Sequence, residues 1–240
     1  MKYLWEQLST PSEATAYPDS ARPELLGLMD GTPRRALELG CHRGALGAAM
    51  KARFPGLHHV GLEINAEAAR EARSRIDEVV IADFLAHDTA SDPVFAQAFD
   101  TAVLADVLEH LYDPWATLVK LRSHLTTDAR VYVSVPNVRN AWLIEQLIQG
   151  RWSYQSAGLL DITHIRFFTL TECQRMFTET GFAVETVVAT RDPRVNLSGG
   201  FSGTTTLMAK DYALYNVDAR MALELSALQF LFVLQPEALP

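Results

Sequence analysis

Residues 36–47 read Ala-Leu-Glu-Leu-Gly-Cys-His-Arg-Gly-Ala-Leu-Gly, and this stretch decides the fold. It predicts a short apolar strand, a tight glycine turn and the start of a helix. Glycine allows a positive φ, and it lets a ligand approach the backbone where no Cβ stands. A strand, glycine turn and helix in this order form a typical binding site for nucleotide-like ligands.

The spacing of the glycines distinguishes between ligands. The dinucleotide fingerprint requires Gly-x-Gly-x-x-Gly, but His42 occupies the position of the middle glycine. What remains is Glu38-x-Gly40-x-x-x-Gly44, with a carboxylate at the end of the strand. A carboxylate is unfavourable beside a pyrophosphate and favourable beside a cation. S-adenosylmethionine carries a sulfonium and an ammonium but no phosphate, so the segment favours that ligand over a dinucleotide. A purely structural turn is the alternative.

The composition sets limits on the class of protein. The chain has 240 residues, 48% of them hydrophobic, which suffices for a single domain over 1–240. Its net charge of −8 makes extended nucleic acid an unfavourable partner. Two cysteines, Cys41 and Cys173, do not suggest a disulfide framework. Without a membrane-spanning run or a signal-peptide core, we expect a cytoplasmic protein that does not bind membranes. Nothing in the sequence specifies its oligomeric state.

Apolar strands alternate with helical patterns along the chain, which predicts a doubly wound α/β fold with a mostly parallel sheet. The predicted strands are 35–39, 58–62, 78–82, 101–104, 130–135, 182–189 and 228–234. The predicted helices are 43–53, 66–76, 114–125, 141–148, 169–180 and 211–225. Residues 137–168 are expected to form a substrate-cap insert, and residues 191–226 a second insert.

An acidic residue stands at the end of each of the first four strands. In open α/β sheets, ligands bind at the carboxyl ends of the strands. Glu63 lies 23 positions after Gly40, where an acid binds both ribose hydroxyls in related sites, although a solvated acid is the alternative. Asp83 could accept from an adenine amine while Phe84 or Leu85 contacts the ring, although Asp83 could equally cap a helix.

Taken together, these ordered motifs resemble those of class I S-adenosylmethionine-dependent methyltransferases. The resemblance runs from about Arg35 to Gly181, and it includes Gly61-Leu-Glu, Ala82-Asp-Phe and Ala105-Asp-Val-Leu-Glu-His-Leu. It implies a Rossmann-like, seven-stranded sheet whose last strand is antiparallel, and S-adenosyl-L-methionine as cofactor. The implied cofactor contacts are Glu38, Gly40, Cys41, His42, Gly44, Glu63, Ile64, Asp83, Phe84, Ala105 and Asp106. His42 departs from the usual glycine, while Gly40 and Gly44 remain.

Methyl transfer to a hydroxyl requires a base, and histidine is suited to this task near neutral pH. His110 and His164 are the candidates. Asp106, Glu109 and His110 have the i, i+3, i+4 spacing that would place them on one face of a helical turn. The alternative is that Glu109 and His110 only shape the start of a helix. Before the first strand, Arg22 and Tyr17 are weaker candidates, Arg22 for the methionine carboxylate.

The insert carries aromatic, basic and histidine side chains in the run Gly150-Arg-Trp-Ser-Tyr…Asp161-Ile-Thr-His-Ile-Arg-Phe-Phe-Thr169. Long ordered inserts of this kind are usually binding loops or lids. The run resembles that of bacterial methyltransferases linked with surface-glycan pathways, although packing over the sheet edge is the alternative. The leading interpretation is therefore an O-methyltransferase for a small polar acceptor, such as a sugar or glycan precursor.

Two other functions remain open. Asp106, Glu109, His110 and His164 are similar in layout to the metal-dependent small-RNA 2′-O-methyltransferases, in which such residues hold a divalent ion. The negative charge and the lack of a basic stripe argue against RNA. The third interpretation is a non-catalytic module that has this fold and binds the cofactor. Whether oxygen, nitrogen or carbon receives the methyl group also stays open.

Overall fold

The computed structural model describes residue 4 and residues 19–195, 203–208 and 212–237. Its strands are β1 (Arg35–Leu39), β2 (His58–Glu63), β3 (Glu78–Ile81), β4 (Phe99–Ala105), β5 (Leu125–Pro136), β6 (Phe182–Arg191), β7 (Thr205–Met208), β8 (Ala213–Val217) and β9 (Ala227–Pro236). Its α-helices are α1 (Pro23–Leu26), α2 (Ala45–Arg53), α3 (Ala66–Ala72), α4 (Pro114–Arg122), α5 (Ala141–Ile148), α6 (Leu170–Glu179) and α7 (Ala219–Ser226), and short 3₁₀ turns cover Pro93–Phe95 and Leu108–His110.

A seven-stranded sheet with the order β3-β2-β1-β4-β5-β9-β6 forms the centre of the molecule. The first five of these strands are parallel, and β9 runs antiparallel to both β5 and β6. The predicted Rossmann-like α/β class with an antiparallel last strand is therefore confirmed. Because Leu39 is in register with Leu62 of β2 and with Leu104 of β4, the carboxyl ends of these strands lie side by side.

Both faces of the sheet are covered. Leu37 and Leu39 belong to one core cluster, which also contains side chains from α4 and α6. Ala36 points to the opposite face and packs in a second cluster with Leu46 and Met50 of α2. This alternation along β1, with apolar residues on both sides, is what a buried parallel strand requires. The strand ends are thus the part of the central sheet left open to a ligand.

The predicted helix over 211–225 is wrong in its first half. Residues Ala213–Val217 form β8, which pairs antiparallel with β7 in a separate two-stranded sheet. The helix α7 begins only after Asp218, whose side chain accepts a hydrogen bond from the backbone N–H of Met221. Such an N-cap fixes the start of a helix, and Asn216, near the end of β8, adopts the left-handed region at a φ of 57°. Residue 211 lies outside the described residues.

Other predicted boundaries shift by a few residues. Helix α2 starts at Ala45 rather than at residue 43, because Gly44 adopts a φ of 78° and caps it. Helix α4 ends at Arg122 rather than near residue 125, because Leu125 already pairs with Phe99. None of the helices in the described ranges has both the length and the apolar character needed to span a membrane.

The insert over 137–168 is bound to the sheet at both of its ends. Asn137 and Phe168 form a bridge, and the side chain of Asn140 caps α5. At the far end of the insert, the backbone N–H groups of Ile165 and Arg166 both donate to the carbonyl oxygen of Glu109. These bonds bring the insert against the segment that follows β4.

Candidate functional site

A cavity of about 800 Å³ opens at the carboxyl ends of β1, β2 and β4. It contains most of the residues that the sequence singled out for binding or catalysis. These are Glu38, Gly40, Cys41, His42, Glu63, Ile64, Asp83, Phe84, Ala105, Asp106, His110 and His164. Its volume falls in the range of about 300–1,000 Å³ that is usual for small-molecule sites.

The two glycines of the turn have different tasks. Gly40 lies on the cavity with a φ of 70°, and a Cβ there would be 2.8 Å from Cγ2 of Val107. Gly44 does not line the cavity, and a Cβ on it would lie 3.2 Å from Ala72 of α3. Gly40 therefore keeps backbone open beside the ligand space, whereas Gly44 lets α2 pack closely on α3.

His42 occupies the glycine position of the turn with a φ of 47°, which is uncommon for a residue with a side chain. Its backbone N–H donates to Oε2 of Glu63 at 2.8 Å. Cys41 is buried, and burial, aided by the charge of Glu38, raises the pKa of its thiol. Because Gly61 provides the space for Cys41 Sγ, this cysteine is an unreactive packing residue of the cavity wall.

Glu63 is held at the end of β2 by two backbone donors. Besides the His42 N–H on Oε2, the N–H of Asn65 donates to Oε1 at 2.7 Å. The side chain is buried in the cavity wall and only 8% exposed. Since each carboxylate oxygen can accept a further bond, Glu63 is fixed in position with acceptor capacity left for a ligand.

Glu38, at the end of β1, forms a buried pair with His59 of β2. His59 Nε2 lies 2.8 Å from Glu38 Oε2, and both side chains are almost fully buried. Within the described part of the chain, Nδ1 of His59 has no hydrogen-bond partner. This pair fixes the acid that precedes Gly40, and no feature of the sequence alone predicted it.

Asp83 caps a turn rather than the start of a helix, and its contact with adenine stays a prediction. Its Oδ1 accepts from the backbone N–H of Ala86 at 3.0 Å, and its backbone carbonyl accepts from His87. Phe84 packs against Phe95, while Leu85 is 41% exposed and also lines the cavity. Of the two apolar side chains, Leu85 therefore offers more surface to a ligand.

Asp106 is bound by the protein itself. Its Oδ2 accepts from Nη1 of Arg22 at 2.5 Å, and its Oδ1 accepts from the Ser134 hydroxyl at 2.6 Å. Arg22 also donates to Ser134 and to Oε1 of Gln229. The candidate contact of Arg22 with a methionine carboxylate is thus replaced by contacts with protein groups. Tyr17 lies outside the described residues.

The predicted helical face of Asp106, Glu109 and His110 does not form. Only Leu108–His110 form a turn, and Asp106 precedes it with a φ of 54° in the left-handed region. Asp106 therefore points toward Arg22, while Glu109 and His110 pack with the insert. The i, i+3, i+4 spacing places side chains on one face only within a continuous helix, and no such helix begins at residue 106.

The insert supplies hydrogen-bond partners for His110. Its Nδ1 lies 3.1 Å from Oγ1 of Thr163 and 3.3 Å from the Thr163 carbonyl oxygen. Thr163 Oγ1 in turn donates to Oδ1 of Asp161 at 2.6 Å. Asp161 and Thr163 were not predicted as site residues. Their spacing within Asp-Ile-Thr-His, which allows an aspartate to bond the residue two positions later, is the signal that could have found them.

Glu109 and His164 occupy the buried side of this cluster. Both carboxyl oxygens of Glu109 lack a hydrogen-bond partner among the described residues, and the side chain is 1% exposed. Oε1 of Glu109 lies 3.9 Å from Nε2 of His164, and the His110 and His164 rings are 4.7 Å apart. Burial, together with the charge of Asp106, raises the pKa of Glu109 well above its ordinary value.

Burial favours the neutral form of both histidine rings. Burial lowers the pKa of His110, and burial with the neighbouring His110 lowers the pKa of His164. One ligand atom each from Glu109, His110 and His164 lies within 4.8 Å of the others, so this triad has the donor set of a divalent cation site. Asp106 does not belong to the triad, because Arg22 and Ser134 already bind its carboxylate.

Comparison with known families gives a match over residues 12–187 to the family described as a methyltransferase domain. The chain belongs to this methyltransferase family. S-adenosyl-L-methionine is the cofactor of the methyltransferase, and the cavity fits it in two respects. Gly40 leaves no Cβ in the ligand space, and Glu63 presents a fixed carboxylate with acceptor capacity.

Individual relatives of the methyltransferase are distant. An uncharacterized 37.1 kDa protein in transposon TN4556 of Streptomyces fradiae is 29% identical over 139 residues. This match covers 57% of the present chain and 39% of the relative, so the chain spans well under half the length of that protein.

Solved structures share the fold of the methyltransferase. A methyltransferase of Archaeoglobus fulgidus that depends on S-adenosylmethionine superposes with a TM-score of 0.57 at 18% identity, over 96% of this chain and 97% of that one. A possible histamine N-methyltransferase of Thermotoga maritima gives a TM-score of 0.57 at 15% identity, over 88% and 84% of the two chains. At such identities the likeness shows the fold alone.

Proposed function

We propose that this methyltransferase transfers the methyl group of S-adenosyl-L-methionine to a hydroxyl of a small polar acceptor. The observation that carries the proposal is the position of two histidines, His110 and His164, in the same cavity as Glu63 and Gly40, where burial lowers the pKa of both rings. A hydroxyl must lose its proton during methyl transfer, and a neutral imidazole is suited to accept it.

The cofactor would be held mainly by acids and bare backbone. Glu63 accepts the ribose hydroxyls with the oxygen lone pairs that His42 N–H and Asn65 N–H leave open. Asp83 lies beside the adenine position with Leu85 against the ring face. Gly40, at the end of β1, admits the methionine part. When bound, the cofactor supplies an electrophilic methyl group on a sulfonium, and the protein orients the acceptor in line with it.

The acceptor end of the cavity is formed by the insert. Ala157, Gly158 and Leu159 line it together with Asp161 and His164.

 Three of these residues have no polar side chain and two can form side-chain hydrogen bonds, so the space suits a small molecule that carries both kinds of surface. Nine carboxyl side chains but only two arginines line the whole cavity, which is unfavourable for a nucleic acid backbone. A sugar or a glycan precursor fits this description.

Aromatic side chains of the insert and of the segment after β4 support a ring-shaped acceptor. Trp152 and Phe167 pack edge to face with ring centroids 5.5 Å apart, and Phe167 remains 44% exposed. Tyr112 lines the cavity, and the Arg166 guanidinium lies 5.3 Å from its ring centre. Exposed aromatic faces beside a polar pocket are suited to the apolar faces of sugar rings.

A second candidate mechanism is deprotonation assisted by a divalent metal ion. The observation that favours it is the pair of unpartnered, buried oxygens on Glu109 within reach of His110 and His164. These residues would hold Mg²⁺ or Mn²⁺, which would lower the pKa of a bound hydroxyl. Methyl transfer that is lost with a chelator and restored by Mn²⁺ supports this candidate, and full activity in the chelator eliminates it.

The proposal is tested in two stages. First, calorimetry with S-adenosylhomocysteine establishes cofactor binding by the purified chain. Second, radiolabelled methyl transfer is measured with matched hydroxyl and amine acceptors, including sugars and sugar nucleotides. We expect labelled ether products with a hydroxyl acceptor, and loss of at least about 100-fold in turnover when the histidine that serves as base is replaced.

A matched control separates the site from general effects of losing a histidine. His58→Gln changes a half-exposed histidine of β2 that pairs with Glu78 outside the cavity, and turnover should stay unchanged. Transfer to amines only would overturn the hydroxyl acceptor. Cofactor binding without transfer to any acceptor would favour a non-catalytic module.

A further inference from the structure

The hydrogen bonds around His110 determine where its proton lies. His110 Nδ1 faces two oxygens of Thr163, the hydroxyl at 3.1 Å and the backbone carbonyl at 3.3 Å. A carbonyl oxygen can only accept a hydrogen bond. The hydroxyl could in principle donate or accept, so its own partner decides the direction.

That partner is Asp161. Thr163 Oγ1 donates to Oδ1 of Asp161 at 2.6 Å, with the carboxyl oxygen as the acceptor. The single hydroxyl proton of Thr163 is therefore directed to Asp161, and Thr163 Oγ1 must accept from His110. The backbone N–H of Thr163 also donates to Asp161 Oδ1 at 2.8 Å, which fixes the position of this carboxylate. It follows that Nδ1 of His110 carries a proton.

The other nitrogen of His110 is then the basic one. In a neutral imidazole with Nδ1–H, the lone pair lies on Nε2. No described residue forms a hydrogen bond with this nitrogen, and His110 is one of the residues that line the cavity. His164 is 8% exposed, and its Nε2 lies 3.9 Å from Oε1 of the buried Glu109 carboxyl group.

We propose that Asp161 and Thr163 are positioning residues that hold His110 in the Nδ1–H tautomer, so that Nε2 of His110, and not His164, accepts the acceptor's proton. The assignment of the base rests on the proposed function, whereas the tautomer does not. In the step itself, the O–H bond breaks and its proton moves to Nε2. The hydroxyl oxygen forms the new bond to the methyl carbon as the C–S bond breaks with its electron pair going to sulfur.

The same arrangement stabilises the product of proton transfer. Once Nε2 is protonated, the imidazolium of His110 donates through Nδ1–H to Thr163, which remains bonded to the Asp161 carboxylate. A carboxylate that orients a histidine in this way favours the charged ring without taking the proton itself. The proton then leaves to water through the open cavity, and the base is regenerated.

The tautomer can be measured without any acceptor. In protein labelled with ¹⁵N-histidine, long-range ¹H–¹⁵N correlation spectra at pH 7.5 show which ring nitrogen carries the proton. The His110 signals are assigned by their absence in His110→Gln. We expect the Nδ1–H pattern for His110 in the wild-type protein, and the Nε2–H pattern would overturn the proposal.

Variants of Thr163 test the positioning role. Thr163→Val removes the hydroxyl but keeps the backbone carbonyl, so we expect a measurable population of the Nε2–H tautomer, and Thr163→Ser should restore the wild-type spectrum. An unchanged tautomer in Thr163→Val would overturn the role of Asp161 and Thr163. Because Asp161 is 2% exposed and its replacement could prevent folding, the partly buried Thr163 is the better position to change.

Kinetics test the assignment of the base once an acceptor is found. His110→Gln should lower kcat at least about 100-fold with S-adenosylhomocysteine affinity changed less than about twofold, and His164→Gln should lower kcat less. The reverse order would overturn His110 as the base. If the cofactor binds and no hydroxyl is methylated, the proposed function fails, while the spectra still decide the tautomer.

Discussion

Nη1 of Arg22, just before the short helix α1, lies 2.5 Å from Oδ2 of Asp106 at the end of β4, across 84 positions of sequence. The same guanidinium reaches Ser134 on β5 and Gln229 on β9. Burial acts to lower the pKa of Arg22, but the carboxylates of Asp106 and Glu24 together raise it above its ordinary value. One side chain thus connects the segment before the sheet with three of its strands at the edge of the cavity.

We expect Arg22→Gln to lower the free energy of unfolding by about 1.5–3 kcal/mol, because it leaves a partly buried carboxylate without its charged donor. Urea denaturation measures the effect. Arg175→Gln is the matched control, since Arg175 forms its ion pairs on the exposed surface of α6 and should lose no measurable stability. Equal effects of the two substitutions would contradict the role of Arg22.

Gly40→Ala should destabilise the protein more than Gly31→Ala. Both glycines have nearly the same positive φ, 70° and 72°, so both substitutions cost about 1–2 kcal/mol of backbone strain. Only at Gly40 would the new Cβ lie 2.8 Å from Val107, whereas nothing lies within 4 Å at Gly31. We therefore expect about 1–3 kcal/mol more for Gly40→Ala in denaturation experiments. If the two substitutions lowered the free energy of unfolding equally, the Val107 side chain would be moving away from the new Cβ without cost.

Glu63→Gln should weaken the binding of S-adenosylhomocysteine at least about tenfold, which corresponds to the loss of one charged hydrogen bond of about 1.5–3 kcal/mol. The amide keeps only one acceptor oxygen, while the backbone N–H groups of His42 and Asn65 need two. Calorimetry measures the affinity. Glu78→Gln, on β3 outside the cavity, should leave it unchanged. Unchanged affinity in a folded Glu63→Gln protein would exclude Glu63 from the cofactor site.

Relative to the wild-type protein, the Glu109→Gln variant should become more stable as the pH rises. Burial raises the pKa of Glu109, so the folded state retains a proton that the unfolded state loses above its ordinary value of 4.5. The stability that this group contributes is therefore present below pH 4.5 and falls as the pH rises toward the folded-state pKa. Glutamine has no proton to lose at this position. We expect the Tm of the variant minus that of the wild type to increase between pH 5 and pH 8.

The expected increase is at least about 2–4 °C, which corresponds to about 1 kcal/mol in a chain of this length. Other charged and titratable groups surround this carboxyl group in both proteins, namely His110, His164, Asp161, Asp106 and Arg22. Comparison of the two proteins at the same pH removes most of their contribution to the pH dependence of Tm. Glu172→Gln, on the exposed surface of α6, reports the effect of losing a surface carboxylate alone. A Tm difference that falls with pH would contradict the raised pKa of Glu109.

Several features of the fold were predictable because they depend on local sequence. The alternation of apolar strands and helices predicted the doubly wound sheet, and three helices begin at their predicted residues, Ala66, Pro114 and Ala141. One boundary failed where a tertiary contact ended an element early, at Arg122, since Leu125 already pairs with Phe99. The hairpin of β7 and β8 was missed because strand pairing, rather than any local preference, determines it.

The sequence by itself determined which residues stand at the strand ends, because the periods of strands and helices and the order of a βαβ unit place them there. Glu38, Gly40, Glu63 and Asp83 could therefore be assigned to one edge of the sheet. Only the tertiary structure decided which side chains they meet. Asp106 pairs with Arg22, and His110 pairs with Thr163, because the chain before β1 and the insert pack on that edge. Such contacts join residues 84 and 53 positions apart, and no local pattern encodes them.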